Sequence, residues 1–355
     1  MAAGGLIGTV LLAAAALCFT SGCSTLGYYA QAVGGHLDLV QRSRPVTEVL
    51  ADGATPEPLR QRLRLSQRVR EFASSELKLP DNPSYRRYAD LQRDSAVWNV
   101  VAAPALSLTL KTWCVPVMGC VGYRGYFKRE DAEALAAELQ AQGWEVMVYG
   151  VPAYSTLGWS NWLGGDPLLN TFVSWPEGQL ARLVFHELSH QVAYADDDTT
   201  FNESFATAVE RVGGRRWLAA QASPEVRAAD AVLAQRRQEF REFTRAWRAR
   251  LAGLYQSDLS DPLKRERKAD LMAQMQSEYQ ALKAGLWGGY AGYDGWFARA
   301  NNASFGVLAA YHELVPDFER LFERTGGDFD RFYAEVKALA ALPKAQRRAR
   351  LAAHP

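Results

Sequence analysis

Charge of one sign never accumulates in this chain: 40 basic and 39 acidic side chains among 355 residues leave a net charge of +1. That balance leaves no electrostatic footprint for nucleic acid, which needs a basic face to hold phosphates. The densest basic cluster, KRERK at 264–268, is interrupted by Glu266 and reads as a solvated helix face. Cysteine is scarce, four in all, and no C-x-x-C spacing with a second ligand pair is present, which argues against a cysteine-based zinc site. Histidine is almost as scarce, five residues at positions 36, 186, 190, 312 and 354. No internal repeat is apparent, and no apolar run reaches the roughly 20 residues of a membrane-spanning helix. What is present, 48% apolar and 22% charged residues, suffices to bury a sizeable core in one or two domains.

Residues 1–22 also lack any charged side chain, and a largely apolar run of fourteen residues, Leu6 to Phe19, precedes Thr20-Ser21-Gly22-Cys23. A run this short fits the core of a signal peptide. The small residues leading into Cys23 resemble the lipobox of bacterial lipoproteins, in which the cysteine is acylated and becomes the mature N-terminus. Two features depart from it: no Lys or Arg precedes the apolar core, and Thr20 stands where the lipobox usually carries Leu. A plain signal peptide cut near Gly22 is the competing expectation. The resemblance implies a membrane anchor through lipid on Cys23, a periplasmic location and, with Ser24 after the cysteine, sorting to the outer membrane. In an oxidising periplasm Cys114 and Cys120, in KTWCVPVMGCVGYRG, would form a disulfide, with Pro116 and Gly119 turning the chain back. A reduced, half-buried pair is the alternative.

After the signal segment at 1–22, residues 23–97 are expected to be helical. GYYAQAVGGHLDLVQRSRPV carries apolar residues at helical spacing, and PLRQRLRLSQRVREFASSEL resumes with Leu65, Val69 and Phe72 on one side. His36 reads as a structural or surface residue, because no second ligand stands at metal spacing. Residues 98–218 form the predicted core. VWNVVAAPALSLTL, VGYRGYF and WEVMVYGVPAY read as strands, with the helix REDAEALAAELQAQG stopped at Gly143. STLGWSNWLGGDPLLNTFVSW reads as a loop with a short strand. A helix is expected from Pro176 or Glu177 to Ala195, with Leu180, Val184, Leu188 and Val192 as its apolar stripe. Asp196-Asp197-Asp198-Thr199-Thr200 breaks it, and FNESFATAVERVGGRRWL forms the next helix, ending at Gly213-Gly214. Residues 219–355 are again helical. Val226, Leu233, Phe240, Trp247 and Leu254 recur every seven residues, and Leu271, Met275, Tyr279, Leu282 and Leu286 share a face. These seams predict a long antiparallel hairpin turning around Ser260-Asp261-Pro262. A final helical segment runs from about Asn302 to Leu342, and the elements together indicate an α+β protein.

The chemistry concentrates in His186-Glu187-Leu188-Ser189-His190, an H-E-x-x-H pattern. Residues four apart share one face of a helix, so the two imidazoles can converge on a metal ion. Glu187 points about 100° round the helix from His186, placed to take a proton from water. A catalytic zinc needs a third protein ligand and an open position. Glu203 is the candidate, with twelve residues between it and His190, the DDDTT turn folding its helix back. Thr200-x-x-Glu203 also matches a capping box, in which Glu203 would satisfy the helix start instead. Glu210, seven residues on, is the reserve ligand. Tyr154, Tyr311 and His312 are candidate donors to a tetrahedral oxyanion. His312-Glu313-Leu314 begins like the motif again, but Pro316 occupies the second histidine position.

HELSHQ followed by NESFA is similar to the gluzincin metallopeptidases, where H-E-x-x-H is followed on the next helix by N-E-x-x-A. More closely, the lipobox, KTWCVPVMGCVGYRGYF, VPAYSTLGW and HELSHQVAYADDDTTFNESFATAVE together resemble a predicted aminopeptidase family of bacterial lipoproteins. The resemblance implies a gluzincin-like core with a small sheet beside the metal helix, one Zn2+ held by His186, His190 and Glu203, Glu187 as general base, and a peptide substrate. The gap before Glu203 is shorter than in better-known gluzincins. Gly150-Val151-Pro152-Ala153-Tyr154 also stands where gluzincin aminopeptidases carry G-x-M-E-N, whose glutamate holds the substrate's free amine. Asp166 or the cluster Asp196 to Asp198 could supply that anchor, with helix-terminating roles for the cluster as the competing expectation. The strand could still hold an extended peptide by backbone hydrogen bonds. Three functions follow: a zinc aminopeptidase, a zinc endopeptidase without amine recognition, or a non-catalytic envelope lipoprotein for binding or assembly. The intact Glu187 speaks for an enzyme, since a binding module has no need of the base.

Overall fold

Period-two and helical patterns in the sequence become three small sheets among many helices in a computed structural model, which describes residues 27–352 apart from 116–118, 155, 157–160, 162–163 and 197. The expected signal segment, lipobox and Cys23, the turn at Pro116, Asp197 and much of the Trp-rich loop lie outside the described residues. The described residues begin with a helix, α1, over 27–42. It continues with β1 (Arg44–Pro45), α2 (Val46–Ala51), α3 (Glu57–Ser75), β2 (Arg87–Ala89), β3 (Val97–Pro104), β4 (Trp113–Val115), β5 (Gly119–Val121) and β6 (Arg124–Tyr126). Then come α4 (Arg129–Ala141), β7 (Trp144–Val151), β8 (Leu168–Leu169), α5 (Asn170–Val173), α6 (Glu177–Ser189) and α7 (Thr199–Gln221). The C-terminal part holds α8 (Pro224–Gln256), α9 (Asp261–Ala284), α10 (Asp294–Phe297), α11 (Asn302–His312), α12 (Val315–Arg324), α13 (Phe329–Ala340) and α14 (Lys344–Ala352). No helix among the described residues is long and apolar enough to cross a membrane.

The main sheet has the order β6-β3-β7, antiparallel throughout, with Trp98 opposite both Tyr126 and Gly150. Alternation along the strands gives it two faces. Val100, Ala102 and Val146 pack under Ala132, Ala136 and Leu139 of α4, which ends where Gly143 takes φ +86°. Val101 and Ala103 meet Ala303 of α11, next to Tyr123, Met147 and Tyr149. The helix laid across the inner face is therefore α11 and not α6. In the N-terminal region expected to be helical, β1 pairs antiparallel with β2, and β2 runs parallel to β8. Cys114 and Cys120 lie opposite each other in the β4–β5 pair and are joined by a disulfide.

One core spans nearly the whole described chain. It joins Leu39, Val69 and Phe72 to Val184 and Phe185 of α6, Phe205 and Trp217 of α7, and Phe318, Val336 and Leu351 of the C-terminal helices. A second core belongs to the hairpin of α8 and α9, where Phe240, Trp247, Met275 and Tyr279 pack with Trp287, Phe297 and Phe305. Val226 leaves the hairpin seam for the main core, and Leu286, beyond the end of α9, is 66% exposed. The helical segment expected from about Asn302 to Leu342 consists of three helices. Pro316 lies in the first turn of α12, where it starts a new helix, and Gly326 and Gly327, at φ +75° and +70°, end it.

Two further boundaries differ from the sequence pattern. α6 ends at Ser189 rather than Ala195: the His190 N–H turns back to the Leu188 carbonyl, and the Ser189 hydroxyl donates to the His186 carbonyl at 2.6 Å. The Gln191 and Val192 N–H groups turn back to Leu188 and Ser189 at 3.1 and 2.9 Å. Conversely, α7 runs straight through Gly213-Gly214. A Cβ on Gly213 would stand 2.6 Å from Leu77 Cδ1 and 2.9 Å from Phe185 Cδ2, so the pair is an approach face and not a stop. Gly213→Val is expected to destabilise the fold by about 1–3 kcal/mol through overpacking. A denaturant midpoint equal to wild type would show that this contact has room to give.

Candidate metal centre

The first turn of α7 organises the site. Asp198 caps the helix, its carboxylate accepting from the Phe201 N–H at 3.2 Å. The capping role open to Glu203 is thus taken by another residue, and the Glu203 carboxylate turns to α6. Asn202 binds both the N–H and the carbonyl of Ala195, at 2.8 and 2.9 Å, pinning the chain that leaves α6. The Ser204 hydroxyl accepts from the Leu314 N–H at 3.2 Å and donates to the Ala310 carbonyl at 3.4 Å, tying α7 to the corner between α11 and α12. On the other side, the buried Arg70 binds the carbonyls of Pro80, Asn82 and Ser84. The loop it holds clamps Gln191, beside His190, through Asn82 at 2.7 Å and Ser84 at 3.2 Å.

Within that frame Glu203 Oε2 lies 3.2 Å from His186 Nε2 and 3.8 Å from His190 Nε2. All three donors fall within 4.8 Å of one another, and each residue is 8% exposed. Zn–N and Zn–O bonds near 2.0–2.1 Å in a tetrahedron place ligand atoms about 3.3 Å apart, matched by the 3.2 Å between Glu203 and His186 and exceeded by the 3.8 Å between Glu203 and His190. The donor chemistry fits a cation too. His186 Nδ1 is 3.2 Å from Glu210 Oε2, so the ring stands between two carboxylates. If Nδ1 donates its proton to Glu210, Nε2 offers a lone pair to the same point as Glu203, an arrangement that needs positive charge between them. Glu210 therefore sits behind a candidate ligand and is not itself in the donor cluster.

Burial sets the electrostatics. Glu187 is pushed up to about 7, mainly by burial, with the charges of Glu203, Asp166 and Glu210 adding and His186 opposing. Burial holds His190 down at about 4. For His186 burial works against the charged ring, yet the bonds to Glu203 and Glu210 raise it well above the ordinary range. Glu187 lies outside the donor cluster, and its carboxyl is poised between protonation states near neutrality.

The other predicted residues divide. Tyr311, on α11, stacks against His186 with ring centroids 6.2 Å apart, and burial together with Glu203 raises its hydroxyl well above the usual value. Tyr154 instead packs against Phe127 and His36, at 5.0 and 5.8 Å, and the carboxylate acting on it is Asp166. His312 lies on the Glu210 side, its Nδ1 buried without a hydrogen-bond partner, held near 4 by burial and then by Arg211 and Arg241. Asp166 is buried, accepts from Thr156 and bears on Glu187; Asp198 is committed to Arg347 and Arg348. Three tyrosines escaped the sequence reading. Tyr123 and Tyr149 feel the charge of Glu203, and Tyr149 could have been found from strand alternation, which puts it with Met147 opposite Val146 and Val148. Tyr85 adopts φ +64° with a buried, unpartnered hydroxyl that feels Glu187, and nothing in the sequence marks it.

No curated protein and no solved structure matches the chain significantly. A family model described as "Putative aminopeptidase" matches residues 27–351, and the chain belongs to that family.

Proposed function

We propose that the chain is a zinc-dependent peptidase acting as an aminopeptidase in the periplasm, anchored to the outer membrane through lipid on Cys23. The observation that carries the catalytic part is the convergence of His186 Nε2, His190 Nε2 and Glu203 Oε2 beside a buried Glu187 that is not one of the donors. Family membership supports peptide hydrolysis, and the disulfide between Cys114 and Cys120 is consistent with an oxidising compartment. Bound at the three donors, zinc would supply Lewis acidity toward a carbonyl oxygen and lower the pKa of a water molecule. Glu187 accepts the proton of the attacking water and delivers it to the departing amine. Tyr311, whose ring stacks against His186, is assigned to the developing oxyanion. Asp166, whose charge reaches Glu187, is assigned to the substrate amine in place of the glutamate missing from Gly150 to Tyr154.

Protein purified without chelators is expected to hold one zinc per chain and to cleave peptides with a free N-terminus in preference to N-acetylated ones. Equal cleavage of both would favour the endopeptidase, the reading to which the missing glutamate points. Zinc without turnover on a broad peptide library would favour a binding protein, and failure to take up zinc on reconstitution would overturn both enzyme readings. Glu210→Ala, which frees His186 Nδ1, is expected to weaken zinc binding about 10–100-fold without unfolding the chain. An unchanged affinity in a chelator competition would remove Glu210 from the site.

A further inference from the structure

Beyond Glu210 the charge balance changes sign. Arg182 of α6, Arg211 of α7, and Arg237 and Arg241 of α8 gather around Glu210, Asp230 and Glu319. Asp230 is consumed by a two-pronged pair with Arg182, at 2.6 and 2.7 Å, with Arg237 3.8 Å behind it. Glu319 is shared between Arg215 at 3.3 Å and Arg211 at 3.9 Å. Glu210 is already bonded to His186. The Arg241 side chain has no ion pair or hydrogen bond among the described residues, although Arg211 and Arg237 repel it. His312, on which Arg211, Arg241 and Glu210 all act, has a buried Nδ1 that also lacks a partner. The side chains of Arg211 and Arg237 are 25% and 30% exposed, so the cluster can be reached from solvent.

A half-buried guanidinium with no carboxylate of its own, such as that of Arg241, is costly unless an anion completes it. We propose that Arg211, Arg237 and Arg241, with His312 beside them, form a subsite for a carboxylate of the peptide substrate, on the Glu210 side of the metal centre. The proposal rests on the peptidase reading and adds a substrate class to it. Planar guanidinium forks match a carboxylate, and the neighbouring Glu210 charge disfavours a dianionic phosphate. Glu210 is one imidazole away from the three donors, and an extended peptide advances about 3.3 Å per residue. The carboxylate therefore belongs to a residue a few positions from the cleaved bond, either the C-terminus of a short peptide or an acidic side chain.

Binding measured by calorimetry on zinc-loaded Glu187→Gln protein tests this without depending on turnover. Ala-Ala-Ala, its C-terminal amide and Ala-Glu-Ala-amide are the probes. At least one carboxylate peptide is expected to bind about tenfold or more tightly than the neutral amide. Preference for Ala-Ala-Ala identifies the terminal carboxylate, and preference for Ala-Glu-Ala-amide the side chain. Arg241→Gln should erase the preference and Arg241→Lys keep part of it. Equal affinities, no binding by any probe, or a preference that survives both Arg241→Gln and Arg211→Gln would overturn the subsite. Wild-type turnover is read separately: an active enzyme with no carboxylate preference loses only the subsite, whereas a preference without zinc or turnover loses only the peptidase reading.

Discussion

Glu187→Gln is expected to lower kcat on peptides by on the order of 10²–10⁴-fold while zinc content and KM stay near wild type. The substitution keeps the shape of the side chain and removes only its ability to accept a proton. Glu187 stands next to His186 in sequence but not in the donor cluster, so the metal should not feel the change. Its carboxyl is raised to about 7 by burial first, then by the nearby charges of Glu203, Asp166 and Glu210. A dication among the three donors would draw that value down again and keep the base ionised at neutral pH. The pairing of normal zinc content with lost turnover is what separates a base from a ligand. Wild-type kcat in the glutamine variant, with one zinc per chain, would assign the proton transfer to another group. Tyr85, whose unpartnered hydroxyl feels the Glu187 charge, would then be the first to examine.

The features that were legible in the sequence are those set by local spacing. His186 and His190 share a helix face because they are four residues apart, and the strands of the β6-β3-β7 sheet follow from alternation. Where two local rules competed, sequence could not choose between them. Glu203 satisfied both a capping pattern and a ligand spacing, and the choice depends on Asp198, which caps α7 while Asn202 reaches back to Ala195. Gly213-Gly214 carries the composition of a helix stop, yet its meaning comes from Leu77 and Phe185, which arrive from other segments. The same holds for Tyr311, brought to His186 by α11, and for the arginines around Glu210, spread over α6, α7 and α8. None of these contacts has a period. They appear only when tertiary packing decides which distant residues meet.

The same long-range logic gives the largest stability effect. Asp198→Ala is expected to destabilise the fold by about 3–5 kcal/mol, because it leaves a buried cation without its anion. Asp198 is 1% exposed and binds Arg347 at 2.9 Å and Arg348 at 2.6 Å, so α14 is fastened to the start of α7. Arg347, 4% exposed, would keep only the carbonyls of Leu339, Ala340 and Leu342 as acceptors, which offer dipoles but no charge. The cap on Phe201 is lost as well. Burial alone would favour a neutral Asp198, but the bonds and charge of Arg348 and Arg347 and the Phe201 N–H outweigh it and hold the carboxyl below its ordinary 3.8. A depressed folded-state value means that the stabilisation is complete above the unfolded value and fades only as pH falls through the lower folded one. Wild type and variant should therefore differ fully at pH 7 and converge only in strong acid. Asp198→Ala/Arg347→Met should recover part of the loss, since an apolar pair leaves no stranded charge. Because Asn202 and Glu203 follow four and five residues after this cap, zinc affinity should fall along with stability in the single variant. A variant that melts with wild type at neutral pH, or a double variant weaker than the single one by the full cost of a second independent loss, would mean that the ion pair does not anchor α14 to the site.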